Sequence, residues 1–146
     1  MAGNWYHGSI SGGGASIRFY YNPETIRIIK STDWAQLRAA GREQPILQYG
    51  CGSPIIVKFD ILIRRKPGDD YGKNLVQSLL RLTKPTVRGA GVDRPPIVTL
   101  DLGEAIRLQS CIIARVEPEL GPLFSPDDLT PYLGKVHVEI WEAKDV

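Results

Sequence analysis

Hydrophobic and polar positions alternate with a period of two over much of this chain, and in one short stretch they recur at helical spacing. The clearest alternation is 55–64, where Ile55, Val57, Phe59, Ile61 and Ile63 share one face. Lys58, Asp60 and Arg64 lie on the other, beside Ile56 and Leu62. Successive strand side chains point to opposite faces, so the pattern predicts a strand with one core face and one mixed face. An antiparallel sheet open on one side, or covered there by a partner, has this character. Residues 16–21 alternate Ile17, Phe19 and Tyr21 against Arg18 and Tyr20, and stop at the Asn22-Pro23 turn signal. Residues 25–30, 97–100, 105–116 and 135–142 read as further strands. In the last, Val136, Val138 and Ile140 face in, while His137, Glu139 and Trp141 face out.

One helix is expected at about 72–84, from the apolar stripe of Leu75, Val76, Leu79, Leu80 and Leu82, with Pro85 ending it. Residues 31–41 suit a helical turn, with Asp33-Trp34 ahead of Ala-Gln-Leu-Arg-Ala-Ala and Gly41 as the stop. Residues 50–53, 66–72 and 85–96 read as loops. Residues 1–15 hold Gly3, Gly8, Gly12, Gly13 and Gly14, and glycine is costly to order, so this stretch is expected to be a flexible arm. Trp5 and Tyr6 inside it would make it either an anchor on another subunit or a disordered tail. Strands, one helix, then strands favour a mainly β fold, an antiparallel barrel or sandwich with one α-helix packed on it. Residues 16–146 would form its single domain.

Length and charge narrow the picture further. A chain of 146 residues is one domain. With 18 Lys and Arg against 16 Asp and Glu, the charge is too balanced to argue for a polyanionic partner. The longest basic run, Arg64-Arg65-Lys66, has only Tyr71 near it as a stacking aromatic and reads as solvated loop charge. Cys51 and Cys111 have no metal-type spacing and read as reduced, half-buried thiols of a protein made in a cytosol. No stretch reaches the ~18 apolar residues of a membrane span, and the N-terminus does not read as a signal peptide. Membrane insertion and the general secretory route are therefore not expected.

No catalytic, metal or cofactor constellation emerges. His7 lies in the glycine-rich arm with nothing to fix it for proton transfer. His137 and Glu139 share a strand face, half of an acid–base pair at most, and read more simply as a surface ion pair. The neighbouring carboxylates Asp69-Asp70 and Asp127-Asp128 lack the ligand pattern of a calcium loop. Gly12-Gly13-Gly14 is followed by neither the Lys-Ser/Thr nor the helix of a phosphate loop. Strict alternation groups Cys111 with Arg107, Gln109, Ile113 and Arg115, and no histidine pairs with it for nucleophilic work. The expectation is a protein that is not an enzyme.

An ordered series of landmarks resembles the tube-like domain of contractile-injection-system baseplate proteins. These are Phe19-Tyr20-Tyr21-Asn22-Pro23, Trp34, Gly50 with Pro54–Asp60, the helix Val76–Leu82, Arg94–Val98, Gly103, Leu123-Phe124-Ser125, Pro131 and Val136–Glu142. Two departures stand out. Leu102-Gly103 replaces a frequent Trp-Gly, and the chain ends where a peptidoglycan-binding LysM module often begins. The resemblance implies a tail-tube fold and a structural role in a homo-oligomeric, six-fold ring of a phage or phage-like particle. The ring would sit at the tube–baseplate junction of the virion, assembled in the host cytoplasm. Its partners would be tail tube, baseplate hub, and wedge or sheath-initiator proteins, with DNA passing through and no cofactor. The mixed faces at 55–64 and 106–116, carrying Lys58, Asp60, Arg107 and Gln109, would line the channel or meet the parts outside it. Two other readings remain. One is a monomeric sandwich that binds carbohydrate or a cell-wall polymer through Trp5, Trp34 and Trp141. The other is a secreted tube protein of a related membrane-bound system.

Overall fold

The computed structural model describes residues 6–64, 71–88, 93–124, 126, 127, 129 and 131–143. Nine strands and one helix follow in the order β1 (Ser9–Gly12), β2 (Ala15–Arg18), β3 (Ile26–Ile29), β4 (Thr32–Leu37), β5 (Ile46–Gly52), β6 (Ile56–Arg64), α1 (Tyr71–Arg81), β7 (Val98–Asp101), β8 (Arg107–Leu120) and β9 (Leu133–Glu142). Seven strands form one antiparallel sheet in the order β2-β1-β7-β8-β9-β6-β3. Among the described residues, the remaining two, β4 and β5, pair only with each other. The protein is thus mainly β with one helix, as expected, but the large sheet is not hydrogen-bonded into a closed barrel. Its edges are β2 and β3.

The core lies on one face of that sheet. Val57, Phe59, Ile61 and Ile63 from β6 meet Val136, Val138 and Ile140 from β9, and Ile10, Ile17, Val98 and Leu100 from the far side. Leu75, Leu79 and Leu82 cover them, so the helical stripe docks as its periodicity predicts; Leu80 is exposed. The helix stops at Arg81, ahead of the expected 84. The Thr83 amide donates to the Leu80 carbonyl and the Lys84 amide to that of Arg81 (3.2 Å each). These tighter i→i+3 bonds satisfy carbonyls at the helix end before Pro85 turns the chain away.

Three local expectations are corrected. The first is the flexible arm. Residues 1–5 lie outside the described residues, but Ser9–Gly12 is a strand between β2 and β7, with Ile10 fully buried. Gly13 and Gly14 form the two-residue turn between β1 and β2, with φ of 55° and 79°. A type I′ turn needs positive φ at both central residues, which glycine adopts at little cost. Gly12 itself has φ 149° and passes so close to β7 that a Cβ would lie 2.6 Å from the Ile97 carbonyl oxygen.

The second correction concerns 31–41 and 50–53. The expected helical turn is β4, and the expected loop is the end of β5. Trp34 stands opposite Tyr49, and Leu37 opposite Ile46. Cross-strand pairing has overridden the helical propensity of Ala-Gln-Leu-Arg-Ala-Ala. Ser31 and Ser53 tie the base of this hairpin, with the Ser53 hydroxyl donating to the Ser31 carbonyl (2.8 Å) and the Ser53 amide to the same oxygen (3.0 Å).

The third concerns β8, which runs to Leu120 and does not alternate strictly. Its register slips against β7 between Val98 and Leu100 and against β9 between Ile113 and Arg115. Bulges re-aim the side chains. Leu108, Cys111 and Ile113 face the core, so Cys111 does not share a face with Arg107, Gln109 or Arg115. The cysteines are not both half-buried either, since Cys51 is exposed and Cys111 buried.

The described residues of the expected loop at 85–96 form neither helix nor strand, and Val87 and Arg94 tie them by an isolated antiparallel bridge through two 2.9 Å hydrogen bonds.

Candidate functional site

The outer face of the sheet carries a graded pattern across β6, β9 and β8. Register places Ile56, Trp141 and Ile112 in one row, an apolar band. Lys58, Glu139 and Arg115 form the next row, and Asp60, His137 and Glu117 the one after. Leu62, Lys135 and Glu119 follow. Signs alternate from strand to strand. Lys58 pairs with Glu139 (3.5 Å), and Arg115 with Glu117 (2.8 Å). Opposite charges on facing strand positions attract and like charges repel, so this arrangement also reinforces the register. Exposed pairs of this kind are each worth only ~0–1 kcal/mol, so the pattern matters as a surface more than as a source of stability.

His137 is the centre of this face. Its Nδ1 lies 2.5 Å from Asp60 Oδ1 and its Nε2 3.2 Å from Glu119 Oε2. The hydrogen bonds to Asp60 and then Glu119 raise its pKa above the ordinary histidine value, with the charges of Asp60 and Glu117 adding to them. The expected partner Glu139 belongs instead to Lys58.

Of the four residues expected on the mixed faces, Lys58 and Asp60 belong to this cluster. Arg107 does not. It lies ten positions along β8 from Glu117, roughly 33 Å at the strand rise, and pairs with Asp101 (3.1 Å). Tyr6 joins that pair, and its hydrogen bond is the main reason that the Asp101 carboxyl lies below the usual range, ahead of the Gly103 amide. Gln109 is exposed, and its carbonyl accepts a hydrogen bond from the Thr99 hydroxyl (3.0 Å).

Glu117 and Glu119 escaped sequence reasoning because the expected strand was ended at 116, whereas β8 runs on through Pro118 to Leu120. Residues of β7 pair with β8 only as far as Cys111. Beyond it, among the described residues, no strand pairs with that side of β8, and at such an edge a residue without an N–H is tolerated. The signal was present in the continued alternation of Arg115, Glu117 and Glu119 against Val116, Pro118 and Leu120.

The hairpin β4–β5 is the second unusual surface. Every residue of both strands is exposed. Trp34 and Tyr49 stand edge to face, with ring centroids 5.4 Å apart, and Leu47 joins their face opposite Gln36. Leu37 and Ile46 are exposed on the other face. A two-stranded hairpin is marginal by itself in water, and a contiguous exposed apolar surface marks a place of interaction.

Other candidates disperse. His7 donates its Nδ1–H to the Phe19 carbonyl (2.8 Å), and the Gly8 amide donates to Asn22 Oδ1 (2.8 Å), so both fasten the chain beside β2. Arg65, Lys66, Asp69, Asp70, Asp128, Ser125 and Trp5 lie outside the described residues. Trp34 and Trp141 stand on different sheets. Among the described residues no group of His, Cys, Asp and Glu is arranged to hold a metal ion, and no helix is long and apolar enough to cross a membrane. No protein-family model matches the sequence, and no curated protein matches it either.

Proposed function

We propose that this chain is a non-enzymatic ring subunit of a contractile tail or phage-like injection particle, placed where the tube meets the baseplate. The observation that carries the reading is the hairpin β4–β5, which presents Trp34, Tyr49, Leu47, Leu37 and Ile46 to solvent and lacks a core of its own. Such a hairpin gains its stability from a neighbour, and in a ring each copy supplies the next. The large sheet supports the same reading, because among the described residues no further strand pairs with either of its edges, β2 and β3. A tail-tube type of fold, six-fold symmetry, and contacts with tube, hub and wedge or sheath-initiator proteins are parts of this proposal. The charged outer face would then line the channel, where alternating signs present no continuous basic track to hold DNA by its phosphates.

Electron microscopy of the purified chain tests the proposal, with six-fold rings or stacked tubes expected. A monodisperse monomer that binds soluble glycan, and loses that binding on Trp34→Ala, would replace it with the carbohydrate-module reading.

A further inference from the structure

The strand register leaves one position on the outer face whose charge depends on a proton. On β6, Asp60 faces His137, with Lys58 one row away. On β8, Glu117 stands opposite His137, flanked by Arg115 and Glu119. On its own strand, Lys135 and Glu139 are the neighbours on the same face. The alternation of signs across this face is complete only if His137 is positive, because both of its row partners are carboxylates.

Donor chemistry makes the same demand. Neutral imidazole has one N–H and one lone pair, whereas the cation has two donors. Here both ring nitrogens face carboxylate oxygens, Asp60 at 2.5 Å and Glu119 at 3.2 Å. In the neutral ring, one nitrogen lone pair would point at a carboxylate. The shorter contact, to Asp60, keeps the remaining N–H. Glu119, which is 76% exposed at its side chain, turns away to water.

We propose that Asp60, His137 and Glu119 form a proton-operated clamp that ties the overhanging end of β8 to β9 and β6, and that loss of the His137 proton frees Glu119. The clamp acts beyond the pairing of β8 with β7, where, among the described residues, β8 pairs with β9 alone. Glu119 also lines an open groove of about 500 Å³ with Glu24, Arg64 and Lys135, so its release changes the charge presented there as well. The device stands on the geometry of the face and holds whichever partner the face meets.

The sign follows from the direction of the shift. His137 has a raised pKa in the folded chain. The clamp's contribution is therefore full below the unfolded histidine value near 6.5 and is lost as pH rises through the folded value. Two-bond proton–nitrogen correlation NMR on the ¹⁵N-labelled full chain reads both ring nitrogens directly. At pH 6.5 the doubly protonated ring should predominate. Asp60→Asn and Glu119→Gln should each lower the midpoint, and the double variant should lower it furthest. Protection of the Gly121 amide, which donates to the Leu133 carbonyl at 2.9 Å, should fall as pH crosses the wild-type midpoint. A single-tautomer neutral ring at pH 6.5 in the wild type, or a midpoint unmoved in the double variant, overturns the clamp. Gly121 protection that stays constant across the midpoint overturns the release.

Discussion

The rings of Phe19 and Phe59 meet with centroids 5.8 Å apart and planes tilted by 51°. Phe19 directly follows β2 at one edge of the sheet, and Phe59 lies on β6, five strands away in the sheet order. In a flat sheet, five steps of about 4.8 Å would separate the two strands by roughly 24 Å. Contact between these rings therefore means that the sheet curls over its core far enough for side chains from β6 and from the end of β2 to meet across it, without the hydrogen bonds that would close it into a barrel.

Phe19→Ala and Phe59→Ala should each destabilise the chain by about 3–5 kcal/mol, the usual cost of emptying a buried phenylalanine site. The double variant should lose less than the sum, by about 0.5–1.5 kcal/mol, because the two rings interact directly. Urea denaturation of the four proteins measures this. Strict additivity would mean that the ends of the sheet are not coupled.

Burial pushes the Cys111 thiol up to about 11 from 9.0, with the charge of Glu142 adding to the shift. Its Sγ donates to the Val98 carbonyl at 3.0 Å. A folded value above the unfolded one gives stability that is full below pH 9 and is lost as pH rises through about 11. Denaturation midpoints between pH 8 and 11 should fall less steeply in Cys111→Ala than in the wild type. In the native state one thiol, Cys51, should react with a thiol reagent at pH 8, and both should react after unfolding.

The core strands were legible because period-two alternation reports burial directly, as at 55–64 and 135–142. Local rules failed where a distant segment decided the conformation. Residues 31–41 have helical propensity but pair with 46–52. The triple glycine at 12–14 looked like slack chain, yet it holds the only backbone geometry that fits a tight turn against β7. In the candidate site, His137, Lys58 and Asp60 were visible as outward residues. Which of them pair was not, and neither were Glu117 and Glu119, because strand register is set across the chain and the bulges in β8 cannot be counted from alternation.

Asp60→Lys tests what the outer face meets. The side chain is half exposed, so the variant should fold. If the face lines a channel, rings should still form while delivery of payload falls. Particles that fail to build, scored by electron microscopy, would place the face in a subunit contact instead.

Sedimentation equilibrium of the wild type beside a chain in which 32–52 is replaced by a short Gly-Ser turn tests the central claim most directly. The Ser31–Ser53 latch marks a natural place to shorten the hairpin without touching the core. The account predicts a concentration-dependent assembly of the wild type, approaching the mass of six chains. It predicts a folded monomer for the shortened chain. A wild type that stays monomeric at every concentration, with the same mass behaviour as the shortened chain, would contradict it.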